Sequence, residues 1–369
     1  MSAISGKIVF AGGGTGGHVY PALACIEALQ DKGDFSFLYV GGYKGIENVI
    51  INAQQLPLKK IWISGLQRYL TIKNLLFPFK LLVSLFQSLL LLRKFKPQVV
   101  VGTGGYVSGP VVYTASKLGI PTLIQEQDSY PGATTRLLAR YADFICVPFE
   151  SVKRYFPERE QAVLVYGVPI RKSLKMVTKE QAVTNWNLQP EKPVVLVFGG
   201  SQGAQAINLA VKEIIPNFSN NYGVQWLWQT GKNNHPEVMK WSIGSEKDVV
   251  IVDYIDSMEL AYSAADIVIS RAGAITLAEL AIAEKPCILV PYPHAAADHQ
   301  KKNAKTIADL GAAILVEEGE HFSKRLSDAL SQLLKEKDNA AKMGDKWKEI
   351  SNPDAADKIA DQIIKMIKV

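Results

Sequence analysis

The sequence predicts an α/β protein of two doubly wound domains, each an open parallel sheet covered by helices, facing one another across a cleft. Three observations lead there. The 369 residues suffice for two domains of ordinary size, and 48% are apolar, enough for two sizeable cores. Short apolar runs alternate with helix-period segments along most of the chain, the pattern of buried parallel strands joined by crossover helices. A strand, glycine loop and helix occur near the N-terminus, and the same unit restarts in the second half at Gly199.

Residues 7–11 (Lys-Ile-Val-Phe-Ala) read as the first buried strand, and 21–30 as a helix with Pro21 in its first turn. Between them lie Gly12, Gly13, Gly14, Thr15, Gly16, Gly17 and His18. Such a loop lets backbone N–H groups approach an anion, and a helix N-terminus favours one. Gly12, Gly14 and Gly17 also fit G-x-G-x-x-G, but a dinucleotide site needs an acid at the end of the second strand. The second apolar run, 35–40, ends in Gly41-Gly42 with no acid there, which argues against NAD and leaves a structural turn as the plain alternative. His18 stands where a reacting group beside a bound anion would stand, although a lone histidine is more often structural.

The formal net charge is +6, unevenly spread. From Asn48 to Gln125 there is no Asp or Glu, while Lys59, Lys60, Arg68, Lys73, Lys80, Arg93, Lys94, Lys96 and Lys117 fall in the same stretch, so the rest of the chain is net negative. A one-signed segment of that length points to an anionic partner. Within it, 75–92 is the most apolar part of the chain. Pro78 and Lys80 interrupt it, and the clean remainder, 81–92, is short of the roughly 20 residues that span a bilayer. Lys80, Ser84, Gln87 and Ser88 share one narrow helical stripe, leaving a wide apolar face that suits a core helix, a helix lying in a membrane surface, or both on different faces. Cys25, Cys146 and Cys287 lack metal-ligand spacing and read as buried free thiols of a reducing compartment. No signal peptide is expected.

Residues 97–106 form another strand running into a glycine loop, and Gly109-Pro110 opens a further helix. Residues 121–125 form a strand ending in Glu126, Gln127, Asp128 and Ser129, and polar residues at such a strand end face the ligand crevice of an open sheet. Runs 144–147 and 162–166 close the first sheet, and 167–171 crosses between domains. In the second half, 193–198 is a strand, 199–204 (Gly-Gly-Ser-Gln-Gly-Ala) a second glycine loop, and 207–215 helical. Runs 225–228, 249–252 and 267–269 are strands. A small-residue turn then leads into a helix on which Thr276 and Glu279 share a face. Glu279 there suits two ribose hydroxyls, or is a plain surface charge. Residues 286–293 form a buried strand with a rigid exit, delivering His294, Asp298, His299 and Gln300 to the same edge. Pro353 marks a break before a last helix, 355–367.

Gly13-Gly-Thr-Gly-Gly-His18, Gly104-Gly-Tyr-Val-Ser-Gly-Pro110, the Glu126-Gln127 strand end, Gly199-Gly-Ser-Gln-Gly-Ala204, Arg271-Ala-Gly-Ala-Ile-Thr276 with Glu279, and Asp298-His-Gln300 occur in that order. Together they resemble the MurG family, the bacterial N-acetylglucosaminyltransferases of peptidoglycan synthesis, over essentially the whole chain. The resemblance implies a GT-B fold: residues 1–168 an acceptor and membrane domain, 169–353 a UDP-GlcNAc domain, and about 354–369 packing back on the first. It implies transfer of N-acetylglucosamine from UDP-GlcNAc to the C4 hydroxyl of the muramyl sugar of undecaprenyl-pyrophosphoryl-MurNAc-pentapeptide (lipid I), giving lipid II.

The transfer resembles an inverting displacement, which needs a base near the acceptor and stabilisation of the departing diphosphate. No D-x-D metal motif is present, so glycine-loop amides and helix N-termini take the place of a cation, and no cofactor is expected. The resemblance implies that Ser201 and Thr276 meet the UDP phosphates, and that Ala274, Ile275, Leu277 and Ala278 also bind UDP-GlcNAc. It assigns Glu279 to the ribose, the backbone of Ile255 to uracil, Arg171 and Gln300 to the donor site, and Asp128 to the sugar. Thr15, Gly16 and Gly17 lie on the acceptor side, and His18 is the candidate base. Glu126 and Asp128 are less suited, because an ordinary carboxylate is a weak base at neutral pH. The family has Asn where this chain has Asp128. The acid-free segment and the 75–92 helix then face an anionic membrane surface, not a nucleic acid, making the protein peripheral on the cytoplasmic side. Two alternatives stay open: a GT-B enzyme glycosylating diacylglycerol from a UDP-hexose, and a UDP-GlcNAc epimerase or binding protein on the same fold.

Overall fold

The computed structural model describes residues 4–65, 76–241 and 248–367. The chain divides into two compact units, Met1–Lys172 with Asn352–Val369, and Ser173–Ser351. The strands of the first are β1 (Ser5–Gly12), β2 (Asp34–Gly42), β3 (Leu58–Ile61), β4 (Val99–Gly104), β5 (Thr122–Gln125), β6 (Phe144–Val147) and β7 (Val163–Val165). They form a parallel sheet in the order β3-β2-β1-β4-β5-β6-β7. Its central strands are continuous apolar runs because both faces are covered. Ile8 and Phe10 enter one core with Val19, Cys25 and Leu29 of helix Gly16–Gln30, while Val9 and Ala11 enter the other with Val107 and Val111 of helix Gly105–Lys117.

The last helix, Ala355–Ile367, belongs to this unit. Ile359, Ala360 and Ile363 are buried against the core around helix Gly16–Gln30. Lys32 reaches Asp361 at 2.7 Å, and Lys172 reaches Asp31 at 2.7 Å and Asp357 at 3.3 Å. Partly exposed pairs of this kind contribute at most about 1 kcal/mol each, so the apolar face anchors the helix.

The second unit repeats the plan with β8 (Val194–Phe198), β9 (Gln225–Gln229), β10 (Val249–Val252), β11 (Ile267–Ser270), β12 (Cys287–Leu289) and β13 (Ile314–Leu315), in the parallel order β10-β9-β8-β11-β12-β13. Trp226 and Trp228 are fully buried among Ile207, Val211, Ile215 and Phe218 of helix Gln205–Tyr222. The Trp228 indole donates to Asn208 Oδ1 at 3.0 Å, and Asn208 donates to the Thr230 carbonyl at 3.0 Å, locking that helix to the end of β9. In each sheet the strand order reverses at one place, between β1 and β4 and between β8 and β11. The crevice at the carboxyl ends of such a pair is where open α/β sheets bind ligands.

Four local features differ from the sequence reading or go beyond it. The helices after β1 and β4 begin at Gly16 and Gly105, so Pro21 and Pro110 lie inside them instead of opening them. A proline in the second turn removes one hydrogen bond only, and the glycines before it supply the first-turn N–H groups. Strand β3 escapes the apolar-run criterion because Lys59 and Lys60 sit exposed on a sheet edge. Helix Glu47–Ala53 was not foreseen either.

The fourth concerns the apolar segment. It is helix Phe77–Phe95, and Ser84, Ser88 and Leu92 are its buried residues, so the stripe whose direction the periodicity left open points inward. Ser84 donates to Leu81 O at 2.8 Å and Ser88 to Ser84 O at 2.7 Å, so the small hydroxyls satisfy themselves at a close helix contact. Gln87 accepts the Trp62 N–H at 2.7 Å, and Lys80 donates to Ser64 at 3.0 Å. The polar stripe therefore faces the protein, and Leu76, Phe79, Leu82, Phe86 and Leu90 face outward, each about half exposed or more. Leu75, Arg68 and Lys73 lie outside the described residues. Among the described residues no helix is long and apolar enough to cross a membrane. Cys25, Cys146 and Cys287 are buried free thiols, and burial pushes each of them up.

Candidate active site

In the N-terminal unit the site is built at the β1–β4 reversal. Ser108 Oγ lies 2.9 Å from Ala11 O, 2.7 Å from Gly104 O, and accepts the Gly104 N–H at 3.0 Å, clamping the two strand ends together. His18 is on the first turn of helix Gly16–Gln30, half-buried. Its Nδ1 is 2.8 Å from the Gly13 carbonyl and 3.2 Å from Thr15 Oγ1. A carbonyl only accepts, so in the neutral ring Nδ1 carries the proton and Nε2 the lone pair. Gly105, at φ +75°, passes so close that a Cβ there would strike the Gly13 carbonyl oxygen, and a Cβ on Gly104 would lie 2.5 Å from His18 Cδ2. The two glycines thus let β4 close on the imidazole. Thr15 precedes the helix as its exposed N-cap, and Gly16 and Gly17 supply first-turn N–H groups.

The helix after β2 begins with an acid, Glu47. Glu47, fully buried, accepts the N–H of Gly42 on Oε1 and of Gly14 on Oε2, both at 3.0 Å. The Gly14 amide is therefore engaged within the fold. The loop thus seats an imidazole, which the glycine pattern alone does not announce.

Beside it, the end of β5 is organised by Glu126. Its Oε1 accepts the N–H of Gln127 and Asp128 and its Oε2 that of Gly132, each at 3.0 Å, and Thr135 adds a side-chain hydrogen bond. Burial first, and then the charge of Asp128, push Glu126 up to about 7. The reason given above for setting Glu126 aside, an ordinary acidity, is thus corrected. Both of its oxygens also carry the hydrogen bonds that shape this loop. Asp128 is half-buried next to it, and Gln127 is buried with its Nε2 facing Gly104. Arg171 is exposed near the end of the stretch Met1–Lys172.

In the C-terminal unit the site lies at the β8–β11 reversal. The loop 199–204 turns through Gly200 (φ +84°) and Gly203 (φ +76°), with Ser201 exposed. Gln229, buried at the end of β9, donates to Gly200 O at 3.0 Å and accepts the Ile255 N–H at 2.9 Å. With that N–H engaged, the carbonyl is the backbone group through which Ile255 can meet a base. After β11 comes helix Ala274–Ala283, capped by Gly273, whose first turn of Ala274, Ile275 and Thr276 is half-buried. First-turn N–H groups lack intrahelical partners, and the helix dipole at such an end favours an anion. Leu277 donates its N–H to Gly273 O at 3.0 Å and buries its side chain, and Ala278 is half-buried. Glu279 is only 9% exposed, and its Oε2 accepts from Tyr262 at 3.1 Å, which removes the surface-charge alternative. At the end of β12, Ala297 and Asp298 adopt left-handed φ of 51° and 54° and lead into helix His299–Asp309, where Gln300 accepts the Tyr292 N–H at 2.9 Å.

Residues 8–147 match the glycosyltransferase family 28 N-terminal domain, and residues 194–359 its C-terminal domain. The UDP-N-acetylglucosamine--N-acetylmuramyl-(pentapeptide) pyrophosphoryl-undecaprenol N-acetylglucosamine transferase of Desulforamulus reducens is 38% identical over 98% of this chain and 99% of its own. The chain belongs to glycosyltransferase family 28 and, within it, to the MurG family. Among solved structures, Acinetobacter baumannii MurG superposes with a TM-score of 0.78 at 29% identity, over 98% of this chain and 99% of that one. A UDP-GlcNAc 2-epimerase from Neisseria meningitidis, at TM-score 0.67 and 15% identity over 98% of this chain and all of that one, shares the fold. The GT-B fold expected of a MurG-family chain is thereby established. The site residues that sequence reasoning missed are Glu47, Tyr262 and Gln229. Each makes a hydrogen bond to a partner between 17 and 33 residues away in sequence, and no local spacing announces it.

Proposed function

We propose that this protein transfers N-acetylglucosamine from UDP-GlcNAc to the C4 hydroxyl of the muramyl sugar of undecaprenyl-pyrophosphoryl-MurNAc-pentapeptide, forming lipid II at the cytoplasmic face of the membrane. His18 Nε2 takes the proton of that hydroxyl as its oxygen attacks the anomeric carbon. The bond to UDP breaks, and the electron pair leaves with the diphosphate. The helix N-terminus at Ala274, Ile275 and Thr276, with the Ser201 loop, receives the growing negative charge. Glu279 accepts from the ribose hydroxyls, the Ile255 carbonyl meets uracil, and Gln300 borders the donor. Thr15, Gly16 and Gly17 shape the acceptor side, with Asp128 toward a sugar hydroxyl. Arg171 is a further donor contact. The observation that carries this reading is the 2.8 Å contact of His18 Nδ1 with Gly13 O, which leaves Nε2 as the proton acceptor.

The lipid acceptor requires that the enzyme reach a membrane surface, and helix Phe77–Phe95 supports this. Phe79, Leu82, Phe86 and Leu90 present one apolar face, and Trp62 stacks edge-on against Phe79 with ring centroids 5.9 Å apart. Arg93 and Lys94 close the helix, and Lys59 and Lys60 are exposed on β3. Apolar side chains flanked by bases are what an anionic leaflet binds.

The test is product analysis with a lipid I analogue and UDP-GlcNAc. The expected product is heavier by one N-acetylglucosamine, and an analogue lacking the C4 hydroxyl gives none. Turnover of the deoxy analogue would overturn the assignment.

A further inference from the structure

We propose that Glu47 is a positioning residue for the transfer reaction, setting the orientation and tautomer of His18 through one shared peptide unit. The inference rests on the reading of His18 as the base. The N–H of Gly14 and the C=O of Gly13 are the two ends of a single peptide group. Glu47 Oε2 accepts that N–H at 3.0 Å, and His18 Nδ1 lies 2.8 Å from that oxygen. A peptide group is planar, so its two ends cannot turn independently. Holding the N–H on Glu47 therefore aims the carbonyl at the imidazole. A carboxylate on the N–H side also polarises the amide and makes its oxygen a stronger acceptor. Glu47 thus serves His18 as an orienting carboxylate serves a histidine it touches directly, with one peptide inserted between them.

The surroundings are built for this one side chain. Glu47 is fully buried, and its other oxygen is fixed by the Gly42 N–H at 3.0 Å. A Cβ on Gly13 would lie 2.6 Å from Oε1, one on Gly41 2.8 Å from Cγ, and one on Gly45 would strike the carboxylate itself. Gly13, Gly41 and Gly45 thus leave room for Glu47.

The test compares wild type, Glu47→Gln, His18→Ala and the double variant. Glu47→Gln keeps the shape but turns an amide NH2 toward one of the two N–H donors. It is expected to lower kcat about 10- to 100-fold with the KM for UDP-GlcNAc unchanged. In the His18→Ala background it should cost less than about twofold, because the residue it acts through is gone. Histidine 15N spectra should show the Nδ1–H tautomer of His18 in wild type and a gain of Nε2–H in Glu47→Gln. Equal losses in both backgrounds, or a tautomer unmoved by Glu47→Gln, would overturn the proposal and leave Glu47 a structural brace. If Glu47→Gln does not fold, Glu47→Asp carries the same comparison, since it keeps the carboxylate and shortens only its reach to Gly14. A His18→Ala variant within tenfold of wild type sinks the base reading separately, and the tautomer still reports whether Glu47 sets the ring.

Discussion

Tyr262 donates its phenolic hydrogen to Oε2 of Glu279 at 3.1 Å in the interior of the C-terminal unit. Tyr262 is fully buried and packs edge-on against Phe198 of β8, with ring centroids 6.0 Å apart. The carboxylate is thus held in place before any ligand arrives, one turn in from a helix N-terminus that favours anions.

Glu279→Ala removes the acceptor for a pair of ribose hydroxyls and should weaken UDP-GlcNAc by about 1–3 kcal/mol, while acceptor KM stays put. Tyr262→Phe keeps the carboxylate and loses only its anchor, so donor KM should rise by a few fold. Steady-state kinetics in both substrates decide this, and an unchanged donor KM in Glu279→Ala would refute the ribose role.

His18→Ala should lower kcat by roughly 10²–10⁴ and leave UDP-GlcNAc affinity nearly intact, because the imidazole acts on the acceptor proton and not on the nucleotide. Donor titration calorimetry alongside kcat separates the two. A loss of tenfold or less would move the role to another group.

The pH dependence of stability carries a signature of Glu126. Its acidity in the fold, raised to about 7 from 4.5, means the folded chain holds its proton more tightly than the unfolded chain does. Between these values the folded state binds more protons, so this contribution is fully present below about pH 4.5 and is lost as pH rises toward 7. Burial is the larger cause and Asp128 the second, so Asp128→Asn should flatten the slope and stabilise the protein at pH 7 but not at pH 4. Denaturant unfolding across that range tests it, and a gain equal at all pH values would exclude the coupling. An Asn amide still meets a sugar hydroxyl, so kcat/KM for UDP-GlcNAc should stay within about fivefold, whereas Asp128→Ala should cost clearly more.

Charge reversal at the exposed Lys59, Lys60, Arg93 and Lys94 should release the protein from anionic vesicles, each base contributing about 1 kcal/mol near such a surface. Replacing Phe79, Leu82 and Phe86 with Ser should do the same even at low salt, since apolar burial is not screened. Vesicle flotation measures both, and binding that survives both sets of changes would make this face a protein contact.

Much of this architecture was legible because parallel strands buried on both faces are continuous apolar runs, and the glycine loops mark where they end. Residues 144–147 and 249–252 read as strands with the bounds they have in the fold. The misreadings have physical causes. Pro21 and Pro110 suggested helix starts, yet glycines ahead of them already turn helically. In helix Phe77–Phe95 the periodicity showed a polar stripe but not the way it faces; a small hydroxyl that bonds its own backbone fits a tight helix contact better than Leu or Phe does. Glu47 escaped notice because its partners, Gly14 and Gly42, are backbone amides, which carry no side-chain signature.

The most direct test of lipid-linked N-acetylglucosamine transfer is UDP release from UDP-GlcNAc, followed with and without an undecaprenyl-pyrophosphoryl-MurNAc-pentapeptide analogue. A fold shared with UDP-GlcNAc 2-epimerases makes turnover of donor alone the relevant alternative. The account predicts UDP release that tracks acceptor concentration and yields one transferred N-acetylglucosamine per UDP. Acceptor-independent release, or isomerised sugar without transfer, would contradict it.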